Sequence, residues 1–203
     1  QDDNDDSDND DDNNENEEIE GINEKYEPQQ TNYPITNIFE QEFLNNFWSV
    51  ERDQNITGSE VTNKMIFMCE KKLGFKLPQS FIEFVRFRNG GYPRHCQYLI
   101  EKKKYPIEIC ELFGIDKKIE YSLIGGMGSE FWMNEWEYPR IGVYFASCPS
   151  GGHDMLCLDY RDCGVDGEPK VVHVDQEMDY KSVLVANNFE EFVRGLRTYE
   201  VDY

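Results

Sequence analysis

The sequence predicts an α+β domain, and three observations carry that reading. Apolar residues recur at helical spacing in the stretch before residue 90. Three short apolar runs, residues 141–147, 155–160 and 170–175, follow one another between clusters of turn formers. A final amphipathic stripe, Phe189, Phe192, Val193 and Leu196, lies near the end. Short runs bounded by Gly, Pro, Asp and Ser read as consecutive antiparallel strands. At 203 residues there is room for one domain.

In order, residues 1–34 read as an acidic tail and linker, and residues 35–203 as a single domain. The first 20 residues hold twelve carboxylates and no basic group, which is −12 of the net −21. So little apolar surface cannot offset the entropy of ordering, and disorder is expected there. Ile38, Phe39, Phe43, Leu44, Phe47 and Trp48 then mark a short helix. Thr57 or Ser59 is placed to cap a second helix, with Val61, Met65, Met68, Cys69 and Leu73 on its inner face. Gly74 suits a left-handed C-cap. Pro78 opens a third helix, whose buried side is Phe81, Ile82, Phe84, Val85 and Phe87. Asn89-Gly90-Gly91 stops it.

Residues 98–100 and 107–113 read as strands, with Lys102, Lys103 and Lys104 at a hairpin tip that discourages edge pairing. The glycine-rich stretch 124–129 lacks the spacing and the Lys of a phosphate loop. It leads into a short aromatic helix on which Trp132 and Trp136, four apart, share a face. After the three strands comes a short apolar run, residues 183–186. Asn187 and Glu190 then stand in capping-box spacing before the last helix.

The acidic balance argues against nucleic acid, whose binding rests on neutralising phosphates, and against anionic membrane surfaces. A protein partner with a basic surface is compatible with it. No apolar run reaches the ~20 residues needed to span a bilayer, and no export signal opens the sequence. The six cysteines form no C-x-x-C pair and lie in apolar segments. Reduced structural thiols, and hence cytoplasm or nucleus, are the expectation.

The three-strand block carries the candidate chemistry. If Tyr160 pairs near Pro169, Asp154 falls opposite Asp175 and Leu156 opposite His173. Facing carboxylates destabilise a sheet unless something compensates. His153, Asp154 and Asp175, with Gln176 or Glu177, then form a polar cluster that either ties down turns or holds a metal through N/O ligands. Cys148, His153 and Cys157 match no zinc spacing. Cys163 with His173 lacks an orienting third group, and Asp166 with Glu168 sits in a Gly/Pro turn. No metal and no cofactor is expected.

Several strings together resemble the SUKH superfamily, which includes fungal cell-wall-synthesis regulators and bacterial immunity proteins. They are Leu73-Gly74-Phe75-Lys76-Leu77-Pro78, Asn89-Gly90-Gly91, Trp136-Glu137-Tyr138-Pro139, Gly151-Gly152-His153-Asp154, Leu158-Asp159-Tyr160-Arg161 and Gly167-Glu168-Pro169. Helical stretches 81–87 and 189–196 complete the match, which spans roughly residues 47–196 and leaves out the acidic tail. The resemblance implies N-terminal helices, a central mostly antiparallel sheet and a C-terminal helix packed on it. It also implies a non-enzymatic, protein-binding role, immunity-like or as a regulatory scaffold. The expected partner contacts are Trp132, Trp136 and Tyr138 as aromatic anchors, with Asp154, Asp159 and Glu177 as negative charge. The alternative is a metal-assisted hydrolase built on His153, Asp154, His173 and Asp175.

Overall fold

The computed structural model describes residues 32–50, 56–100 and 106–198. The expected acidic tail and the Lys102–Lys104 tip lie outside them. Tyr33 already packs into the core, and its hydroxyl donates to Glu70 Oε2 at 2.7 Å. Residues 33–39 have no regular structure of their own. Glu83 fastens them by accepting from the Thr36 hydroxyl and from the amides of Ile38 (3.1 Å) and Phe39 (3.0 Å).

Three helices follow: α1 (Gln41–Phe47), α2 (Asn63–Leu73) and α3 (Gln79–Phe87). Thr62, rather than Thr57 or Ser59, caps α2 by accepting from the Met65 amide. Thr57 and Ser59 are engaged elsewhere, donating to Gly90 O and to Asp116 Oδ2. Gly74 ends α2 at φ 76°, in the expected left-handed cap. The inner face of α2 is Ile66, Cys69 and Glu70, while Met68 is exposed. Steps of three and four from Ile66 reach Cys69 and Glu70, and Met68 falls on the opposite side. Buried Glu70 accepts from Tyr33, from Lys76 Nζ (2.7 Å) and from the Leu77 amide (3.0 Å). On α3, Phe81, Ile82, Phe84 and Val85 are buried, but Phe87 is exposed.

The Asn89-Gly90-Gly91 stop is a junction as well as a terminator. Asn89 Oδ1 accepts from the Ile115 amide at 2.7 Å, and its Nδ2 donates to Ser59 O at 2.8 Å. Gly90 sits at φ 89°, and a Cβ there would lie 2.8 Å from the Gly114 nitrogen. Two backbones therefore touch where no side chain fits.

The strands β1 (Gln97–Tyr98) and β2 (Ile107–Glu108) form a two-residue pair, shorter than expected. Residues 110–113 instead run along the edge of the main sheet. Cys110 N donates to Ser147 O and Phe113 N to Phe145 O, both at 2.8 Å. Helix α4 (Ser129–Glu135) precedes that sheet. The sheet is an antiparallel meander, β3 (Gly142–Ser147), β4 (Asp154–Asp159), β5 (Lys170–Asp175) and β6 (Lys181–Ala186), in consecutive order. The apolar run at 183–186 is thus part of a fourth strand. The β4–β5 register places Asp154 opposite Asp175 and Leu156 opposite His173, as expected.

Both faces of the sheet are covered, so β3 is buried along its whole length. Phe145 meets Phe81, Phe189 and Phe192, and Tyr144 meets Tyr138. The last helix, α5 (Phe189–Gly195), packs on the sheet through Phe189, Phe192 and Val193. Its cap is Asn188, which accepts from the Glu191 amide at 2.8 Å, and Glu191 reaches back to the Asn187 amide. The capping pair is one residue later than expected, and Glu190 pairs with Arg194 at 2.8 Å.

Candidate functional site

One corner of the sheet gathers the end of α4, the β3–β4 turn and the β5–β6 turn. Trp136 is half-buried there and meets Trp132 and the His153 ring at centroid distances of 5.4 and 5.8 Å. Gln176 opens a 3-10 turn (Gln176–Met178) and ties the pieces together. Its amide donates to His153 O at 2.8 Å, and its Oε1 lies 2.9 Å from His153 Nδ1. The Tyr180 hydroxyl donates to Trp136 O at 2.6 Å. Among the described residues, the non-glycine positions with positive φ are Glu137 (57°), Asp179 (56°) and Tyr180 (54°), all in this corner. A left-handed non-glycine residue costs about 1–2 kcal/mol, and such strain concentrates at functional sites. Exposed Glu135 and Glu137 flank Trp136, exposed Glu177 and Asp179 precede Tyr180, and Met178 is 60% exposed.

The six expected contact residues separate on inspection. Trp132 and Tyr138 are 3% and 2% exposed, so neither presents a surface to a partner. The indole of Trp132 donates to Met127 O at 3.0 Å, and the Tyr138 hydroxyl donates to Gly152 O at 2.7 Å. Burial pushes the Tyr138 phenol well above its ordinary value. Both residues close the core, and the corner's aromatic surface falls to Trp136. Asp159 is neutralised by Arg161, which grips both its oxygens, one at 2.6 Å. It also sits at the far end of β4 from Asp154, about 17 Å along the strand at the usual rise. Glu177 stays exposed in the corner. Tyr180 and Met178 were missed, whereas Gln176 was expected beside His153 and lies there. The available signal was the Gln-Glu-Met-Asp-Tyr string between two strands, too short for anything but a tight turn.

Asp154 turns inward. His173 Nε2 lies 2.6 Å from its Oδ2. The residues are diagonal neighbours on one sheet face, because Asp154 pairs with Asp175 two positions along. Burial acts to raise the Asp154 carboxyl, but hydrogen bonds from His173, Ser150 and Cys148 outweigh it and hold the group below the ordinary carboxylate range. Cys148, Asp154 and His173 bring one ligand atom each to within 4.8 Å of one another. Of the four residues expected for a hydrolase, Asp154 and His173 meet. Among the described residues, His153 and Asp175 join no such metal-ligand group, and His153 Nδ1 faces Gln176. The Cys163 thiol is directed at two backbone carbonyls, Gly164 O at 3.5 Å and Tyr160 O at 3.9 Å. A groove of about 500 Å³ between α1 and α5, lined by Phe43, Phe47, His95 and Leu196 among others, involves neither cluster.

No helix among the described residues is long and apolar enough to cross a membrane. No curated protein matches the chain significantly. The SMI1 / KNR4 family (SUKH-1) model matches residues 60–195, about two thirds of the sequence. With the antiparallel sheet and the C-terminal helix packed on it, this places the chain in the SMI1 / KNR4 family of SUKH domains.

Proposed function

We propose that the chain is a non-enzymatic protein-binding module, immunity-like or a regulatory scaffold, that captures a basic partner through the corner centred on Trp136. The observation that supports this most is the coincidence in one place of a half-buried tryptophan, four exposed carboxylates and every left-handed non-glycine residue among those described. Aromatic side chains anchor interfaces. Rim carboxylates steer an oppositely charged surface and fix its register. Family membership supports a binding role without naming the partner, since one fold serves unrelated functions. The acidic stretch before the domain would add long-range attraction, and the buried thiols Cys69 and Cys157 suit a reducing compartment.

The test is affinity capture by the full chain at low and high salt, with bound proteins identified by mass spectrometry. Two folded variants accompany it: Trp136→Ala, and the combination Glu137→Gln, Glu177→Gln and Asp179→Asn. The Asn at 179 preserves the left-handed backbone. A specific partner should be lost from both variants while circular dichroism is unchanged. A partner retained equally by both would sink the assignment of this corner.

A further inference from the structure

Beside that corner, one cluster turns inward and has no task in partner capture. Cys148 directly follows β3, Asp154 opens β4 and His173 lies within β5, and their ligand atoms all fall within 4.8 Å of one another. We propose that these three residues form a transition-metal site of zinc type, with a cysteine sulfur, an imidazole nitrogen and a carboxylate oxygen as ligands and a fourth position left to water.

The donor chemistry fits. Thiolate, imidazole and carboxylate are the three ligand types that zinc accepts, and three protein ligands plus water make a complete tetrahedral set. The mixture of soft and borderline donors disfavours magnesium or calcium, which take oxygen. The scaffold fits as well. All three positions lie on or beside paired strands, whose register fixes them more closely than loops would. Cys148 and His173 are 4% and 2% exposed, whereas the Asp154 side chain is 23% exposed. That leaves an entry path on the carboxylate side. A thiolate and a carboxylate together balance the two charges of the ion, so the buried site becomes neutral.

A small rearrangement is required. The Nε2–Oδ2 separation of 2.6 Å is that of a hydrogen bond. Tetrahedral zinc with bonds near 2 Å spaces its N and O ligands about 3.3 Å apart. Asp154, the most exposed of the three, would swing outward by less than about 1 Å. On binding, the Cys148 thiol loses its proton to solvent, and the neutral His173 imidazole carries its one proton on Nδ1, which leaves Nε2 free for the metal. A plain His–Asp pair accounts for two of the residues. It leaves unexplained why a buried cysteine donates to the same carboxylate.

The experiment titrates the purified full chain, stripped with chelator, with cobalt(II) chloride and then with zinc chloride. The expected result is one cobalt per chain with a thiolate-to-cobalt charge-transfer band, abolished when zinc is added. Zinc should also raise the thermal midpoint, as any ligand of the native state does. Cys148→Ser should lose the charge-transfer band, and Cys163→Ser should keep it. Should Cys148→Ser fail to fold, Asp154→Asn serves instead, with cobalt affinity lowered at least about tenfold. Cobalt uptake without a charge-transfer band would mean binding by the acidic tail and would overturn the site. A band that survives Cys148→Ser, or cobalt affinity unaffected by Asp154→Asn, would overturn it too.

Discussion

Two adjacent glycines in the β3–β4 turn offer a sharp test of how the corner is built. Both have positive φ, 70° at Gly151 and 101° at Gly152. A Cβ at Gly151 would meet nothing within 4 Å, whereas one at Gly152 would lie 2.6 Å from Trp132 Cζ3 and 3.3 Å from Trp136. The Trp132 ring cannot retreat easily, because it is buried and its indole is tied to Met127 O. Gly151→Ala therefore costs only the backbone term, about 1 kcal/mol. Gly152→Ala adds overpacking of about 1–3 kcal/mol to a backbone term of about 1–2, roughly 2–5 kcal/mol in all. With a urea m-value of about 2 kcal/mol/M, the midpoint should fall by about 0.5 M for the first variant and about 1–2.5 M for the second. Urea unfolding followed by tryptophan fluorescence reads both. Equal losses for the two variants would refute the claim that Gly152 exists to admit Trp132.

Two further predictions follow from the fold. The Asp154 carboxyl titrates below its unfolded value, so its stabilising effect is present above the unfolded value of about 4 and is lost as pH falls through the folded one. The gap in urea midpoint between wild type and Asp154→Asn should accordingly be widest at neutral pH and close on acidification; a gap independent of pH would contradict the His173 pairing. At the last helix, Asn188→Ala should cost about 1 kcal/mol for the lost cap, while Glu190→Gln loses only a surface pair of about 0.5 kcal/mol or less, and thermal melts distinguish the two.

The sheet was legible in the sequence because its signal is local. Short apolar runs between turn formers fix the strands, and the Asp159–Pro169 connection fixes which residue faces which. Helix existence was legible for the same reason, but rotation and capping were less so. Met68 and Ile66 are both apolar, and packing decides which points inward. The doublet Asn187–Asn188 offers two caps, and the helix takes the second. The site was the least legible. Trp132 and Trp136 share a helical face, yet Gly152 admits one ring beneath the turn and leaves the other at its rim. Cys148 joins Asp154 and His173 through strand pairing rather than through any spacing a motif could show. The left-handed Asp179 and Tyr180 answer to the geometry of a turn whose demand no single residue type announces.

The meander has a consequence for how the protein is made. Each strand pairs with its immediate neighbour in the chain, so the sheet can zip hairpin by hairpin as the polypeptide leaves the ribosome, without waiting for distant segments. The first helices emerge earlier, with Phe84 packed on Phe47 and Trp48 but with Phe81 and Phe84 only partly covered. Those rings meet Phe189 only when α5 arrives. Synthesis of the final helix is therefore the step that seals the nascent core, and until then helices and sheet are parts awaiting closure.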